Sequence, residues 1–233
     1  MDNLPSGFHK SFTNKFLELF KLYIEVKEIV LLAEYENKQQ KFIISSVNEL
    51  RNSLDHIMRT IGDPATLDKN FDKAKGHLYR AGYDAYEIIV MSKLAEIKDI
   101  KEQFKLEAIT TAYPDYFTKV VPVISKAKKE LVSARANKKI DNGLVEKDEE
   151  KHFTTFEGIA TTLIKLVDEI NLHVDGIKEA QQEIRRKFWR NIIITTILSS
   201  LIIGFILLSI EYKFFVPKEY ESNNPAKTEQ ITP

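Results

Sequence analysis

Two groups of titratable residues stand close together in the first half of the chain. Arg51, Asp55 and His56 form one; His77, Arg80, Asp84 and Glu87 form the other. Spacings of three, four and three place the last four on one face of a helix. Gly62-Asp63-Pro64 lies between the groups and reads as a helix stop, an N-cap and a proline at the first helical position. If the chain folds back about that turn, equal counting sets Arg51 opposite Gly76 and His77. Imidazoles, guanidiniums and carboxylates converged in this way could move protons at a phosphodiester while arginine neutralises developing charge. The same residues also suit a plain network of ion pairs, Arg51 with Asp55 and Arg80 with Asp84, each four residues apart.

Other chemistry has little to stand on. The nucleotide-binding glycine loops, the HExxH zinc motif and the GxSxG elbow do not occur. His9, His56, His77, His152 and His173 are the only histidines, and none has a partner at metal-ligand spacing. With no Cys there is no disulfide, no thiolate nucleophile and no Cys-bound zinc. Neither a cofactor nor a metal is expected. Thirty-four Lys+Arg against 34 Asp+Glu leave no long-range field for duplex nucleic acid. Eight Gly and seven Pro in 233 residues disfavour a turn-rich β fold.

The elements that must position these residues read as helices throughout. Phe12, Phe16, Leu19, Tyr23, Val26, Val30 and Ala33 make one apolar stripe; Ile43, Val47, Leu50, Leu54, Ile57 and Ile61 make a second. The polar stretch 34–41 between them suits a turn or a solvated part of one very long helix. A third helix follows the Gly62 turn, burying Leu67, Phe71, Ala74, Leu78, Ala81, Ala85 and Ile88, with Gly82 allowing a close neighbour. Tyr113-Pro114 breaks the pattern, and the helix at Pro122 is expected to end near Asn137, before a charged loop over 138–150. From Phe156 to Phe188, apolar residues alternate spacings of four and three, with Gln181 as a polar seam position.

That heptad pattern leads directly into Asn191–Ile210, twenty residues without a charge. At about 1.5 Å per residue, such a helix spans a hydrocarbon slab of roughly 30 Å. Phe188 and Trp189 precede it, Tyr212, Phe214 and Phe215 follow, and Lys178, Arg185, Arg186, Lys187 and Arg190 gather on the amino side. The positive-inside rule puts residues 1–190 in the cytoplasm. Thr196, Ser200 and Gly204 repeat every four residues, a small-residue ridge through which transmembrane helices associate. The expected organisation is all-α: a cytosolic bundle over 1–149, a coiled-coil-like stalk over 150–190, a transmembrane helix over 191–210 and a short disordered tail over 211–233.

Two resemblances follow. Arg51-Asn-Ser-Leu-Asp-His56 resembles the R-x4-6-H motif of HEPN ribonucleases, helical bundles that cleave RNA at a site shared by two protomers. That resemblance implies Arg51 and His56 as catalytic, Asn52 as supporting and dimerisation as essential, at a metal-independent RNA site to which His77, Arg80 and Asp84 of the facing cluster could lend support. The arrangement of a small cytosolic helical domain on one span is similar to the membrane-acting effectors of bacterial anti-phage systems, retron-type and cyclic-nucleotide pathways included. It implies a non-enzymatic effector of the inner membrane acting in abortive infection, with second copies of itself and a cytosolic protein sensor as partners. RNA is a partner only under the ribonuclease reading, and a third reading is a non-catalytic membrane scaffold whose helices bind partner helices.

Overall fold

The computed structural model describes residues 8–37, 43–140 and 149–215. Among them are six α-helices and no strand: α1 Phe8–Glu36, α2 Ile44–Gly62, α3 Leu67–Gln103, α4 Leu106–Ala112, α5 Val121–Ile140 and α6 Glu149–Phe215. A 3-10 turn, Pro64–Thr66, joins α2 to α3, and a π-helical turn, Tyr116–Val120, leads into α5. The chain divides into two compact units, residues 1–181 and 182–233. Residues 149–181 of α6 therefore belong to the first unit rather than to a separate stalk.

In the first unit α3 is the central helix. Leu67, Phe71, Ala74, Leu78, Ala81 and Ala85 are buried along it as their spacing predicts, while Ile88 is half-buried. At Gly82 the missing side chain lets Phe153 of α6 and Val26 of α1 close against the α3 backbone. The rings of Tyr79 and Tyr86 flank Phe153 at 5.6 and 5.4 Å, and Tyr83 stacks on Phe156 at 6.1 Å. Phe156, Ala160, Leu163, Val167, Ile170 and Ile177 of the expected seam are buried by helices of this same chain. Over that stretch α6 is a bundle helix.

The turn between α2 and α3 forms for local reasons. Asp63 follows the last residue of α2, its side chain accepts from the Ala65 amide at 3.2 Å, and Pro64 takes the first helical position. Helix α1 ends at Glu36 and α2 starts at Ile44; residues 38–42 of the polar stretch between them lie outside the described residues.

The stripe of α2 is only partly covered: Ile43, just ahead of the helix, is buried and Leu50 and Ile57 are half-buried. Val47, Leu54 and Ile61 are 46%, 57% and 55% exposed, whereas Ser46, Ser53 and Thr60 are buried. Small hydroxyl side chains let α2 approach α3 closely, and Ser46 and Thr60 are hydrogen-bonded there. Ser46 Oγ donates to the Ala81 carbonyl at 2.9 Å, and Thr60 Oγ1 donates to the His56 carbonyl at 3.2 Å. The apolar stripe turns instead towards Phe16, Phe20 and Tyr23 of α1, lining a groove of about 510 Å³.

A break that sequence gives no sign of separates α3 from α4. Phe104 is extended and buried, although no Gly or Pro occurs nearby. Gln181 of α6 secures the restart, its Oε1 accepting from the Lys105 amide at 2.8 Å. The seam glutamine thus acts as a helix cap from outside the helix. Tyr113 ends α4 as expected; its ring stacks on His173 at 4.1 Å and its hydroxyl donates to Glu169. Pro122 lies in the first turn of α5, which runs to Ile140 instead of stopping near Asn137. Residues 141–148 of the expected loop and 216–233 of the expected tail lie outside the described residues. Residues 211–215 continue α6.

In the second unit, α6 is the one helix among the described residues long and apolar enough to cross a membrane. An 18-residue window reaches a mean hydropathy of 2.5, with none of it buried.

Candidate functional site

The turn at Asp63 folds α2 back along α3, and side chains from three helices meet. His56 of α2 and His77 of α3 stack with ring centroids 5.2 Å apart and planes 20° apart. Asn70 orients the first imidazole: its Nδ2 donates to Thr66 Oγ1 at 2.7 Å, which leaves Oδ1 to accept from His56 Nδ1 at 3.0 Å. The His56 Nε2 of the neutral ring is then an acceptor. Around His77, Glu49 Oε2 lies 2.7 Å from Nδ1 and 2.9 Å from Arg80 Nε. Arg80 Nη2 also lies 2.8 Å from His77 Nδ1. One nitrogen cannot donate and accept at once, and donation to the carboxylate is the stronger bond. Arg80 Nη1 pairs with Glu149 of α6.

Burial pushes the Glu49 carboxyl upwards. The hydrogen bonds from His77 and Arg80, together with their charges, outweigh that and hold it below the usual carboxylate range. Both working edges of the Arg80 guanidinium are therefore taken up by carboxylates on two other helices. The arrangement ties α2, α3 and α6 together at one level.

Arg51 is not part of this meeting. Five residues from His56 is about 140° around a helix, and Arg51 is exposed, lining the α1–α2 groove beside Phe16, Phe20 and Leu54. Asn52 is half-buried on α2 and Asp84 half-buried on α3. Asp55 pairs with Arg59 at 2.8 Å, and Glu87 pairs with Arg135 of α5 at 2.7 Å. The folded chain brings together His56, His77 and Arg80 from the sequence expectation, and adds Glu49, Asn70 and Glu149. Two of the additions had a signal, since Glu49 precedes His56 and Asn70 precedes His77 by seven residues, two turns on the same face. Glu149 had none.

On the second unit, Thr196, Ser200 and Gly204 share a helix face, and a Cβ at Gly204 would meet nothing within 4 Å. Ser200 Oγ donates to the Thr196 carbonyl at 2.8 Å, so its proton needs no partner outside the helix. Among the described residues no three His, Asp or Glu side chains gather as metal ligands would. No protein-family model, curated protein or solved structure matches this chain.

Proposed function

We propose that this chain is a single-pass membrane effector whose helical unit faces the cytosol and which acts by self-association rather than by catalysis. The observation that carries the reading is the stretch 191–210: uncharged, helical, and exposed at every position except half-buried Gly204. A helix of that composition in a water-soluble protein belongs in the core, because its exposure to water is strongly unfavourable. A bilayer removes the conflict. The excess of Lys and Arg on its amino side supports a cytosolic first unit at the inner membrane. The ridge of Thr196, Ser200 and Gly204, open and with its Ser200 proton already satisfied, supports close helix pairing by packing. A helical body on one span is the arrangement of anti-phage effectors, and the proposed outcome is perturbation of the inner membrane, released by a cytosolic sensor, in abortive infection.

The ribonuclease reading finds less support. Arg51 and His56 sit on different faces of α2, and His77 and Arg80 are committed to Glu49 and Glu149. Expression of the full chain in bacteria, with membrane potential followed by dye, tests the choice. Depolarisation that is lost in Gly204→Leu and kept in His56→Ala is the expected pattern. Growth arrest with unchanged potential refutes the membrane mechanism; loss of arrest in a folded His56→Ala variant points to RNA cleavage.

A further inference from the structure

Just ahead of the uncharged run, one face of α6 is layered by chemistry. Arg185 and Arg186 form the first tier, Trp189 and Arg190 the second, Ile193 and Ile194 the third, and together they line one shallow concavity. The nearby Lys187 is neutralised by Glu183 at 2.8 Å. Among the described residues Arg185, Arg186 and Arg190 form no ion pair, although the Glu183 carboxylate also feels the charge of Arg186, so this face keeps a net positive charge.

We infer that this face of α6 binds an anionic phospholipid, its phosphate held by the arginines and its acyl chain laid along the isoleucines; the inference rests on the membrane reading above. Guanidinium grips phosphate oxygens in bidentate fashion, and three of them with no carboxylate in ion-pair contact favour a headgroup that brings no cation of its own. A zwitterionic lipid brings such a cation. The dimensions agree. From Arg185 to Asn191 is about 9 Å of helix, comparable to the roughly 5–8 Å polar layer on each side of the hydrocarbon slab. Trp189 falls in that layer, where an indole buries its ring and offers its N–H to a glycerol ester. The continuation of the arginine tiers into aliphatic ones separates a lipid from a nucleic acid, whose phosphates would leave Ile193 and Ile194 uncovered.

Trp189 is the chain's only tryptophan, so its fluorescence reports this site alone. The full chain is reconstituted in phosphatidylcholine vesicles holding a minority of phosphatidylglycerol, with bromine carried on one lipid or the other. Brominated phosphatidylglycerol is expected to quench Trp189 about fivefold more per mole than brominated phosphatidylcholine, the enrichment that roughly one basic side chain supplies at a membrane surface. In the triple variant Arg185→Gln, Arg186→Gln, Arg190→Gln the ratio falls to about one, while quenching by phosphatidylcholine persists. Equal quenching by the two lipids in the wild type overturns the lipid preference and leaves the membrane reading standing, and a preference that survives the triple variant overturns the arginine assignment. No quenching by either lipid refutes the membrane reading itself and the proposal with it.

Discussion

Replacing Gly82 with alanine sets two effects of known sign against each other. In a helix that is free of neighbours, alanine in place of glycine gains up to about 1 kcal/mol. At Gly82 the new Cβ would fall 2.7 Å from Phe153 Cδ2, closer still to Cε2, and 3.3 Å from Val26 Cγ2. Phe153 is buried and boxed between Tyr79 and Tyr86, so its ring cannot swing away without disturbing both. Overpacking of this kind costs about 1–3 kcal/mol, and after a propensity gain of about 1 kcal/mol a net loss of up to about 2 kcal/mol remains. For a unit of this size the Tm should fall by up to about 8 °C. Gly158 provides the matched control, being exposed on α6 with nothing within 4 Å of a new Cβ. Gly158→Ala should raise the Tm by about 1–4 °C. The assay is thermal unfolding of the full chain in detergent, followed by near-ultraviolet circular dichroism, which reads the packed aromatic rings. If Gly82→Ala raises the Tm as Gly158→Ala does, α6 is not seated on α3 at Phe153 and the packing argument fails.

Glu49→Gln keeps an acceptor for His77 and Arg80 but removes the charge, and should cost about 1 kcal/mol at neutral pH. Since the folded Glu49 titrates below its ordinary value of 4.5, its contribution is complete above that value and disappears as pH falls through the lower folded one. Denaturant unfolding across the acid range should show wild type and variant converging; a gap that stays constant contradicts the assigned cause. Gln181→Leu removes the acceptor for the Lys105 amide and should speed hydrogen exchange at that amide by roughly tenfold. An unchanged rate there refutes its capping role.

What the sequence made legible was local. Asp63 and Pro64 specify their turn through their own hydrogen bond and ring, and the apolar row of α3 is buried because that helix has neighbours along its length. The apolar row of α2 misled for a physical reason. Periodicity counts hydrocarbon, but what brings two helices close is small size, and the small residues of α2 are hydroxylic. The α3–α4 break escaped notice because a buried Phe104 and a distant Gln181 impose it, with no Gly or Pro to mark it. At the candidate site, helix folding about Gly62 was readable and so was the convergence of His56, His77 and Arg80. The partner of each was not, because Glu49 replaced Arg51 once the true facing side of α2 was set by Ser46, Ser53 and Thr60.

That hydroxyl-paved layer has a consequence for how the first unit comes apart. Parting α2 from α3 exposes Ser46, Ser53 and Thr60, and water can at once replace the bond that Ser46 gives to Ala81. Parting α3 from α6 strips Phe153 and Phe156 from Tyr79, Tyr83 and Tyr86, a loss of apolar packing that water does not replace. The seam beside α2 is thus closed in part by polar groups, with Glu49 joining it to His77 and Arg80, while the seam beside α6 is closed by aromatic rings. Acid that protonates Glu49 would loosen the first seam and leave the aromatic one untouched.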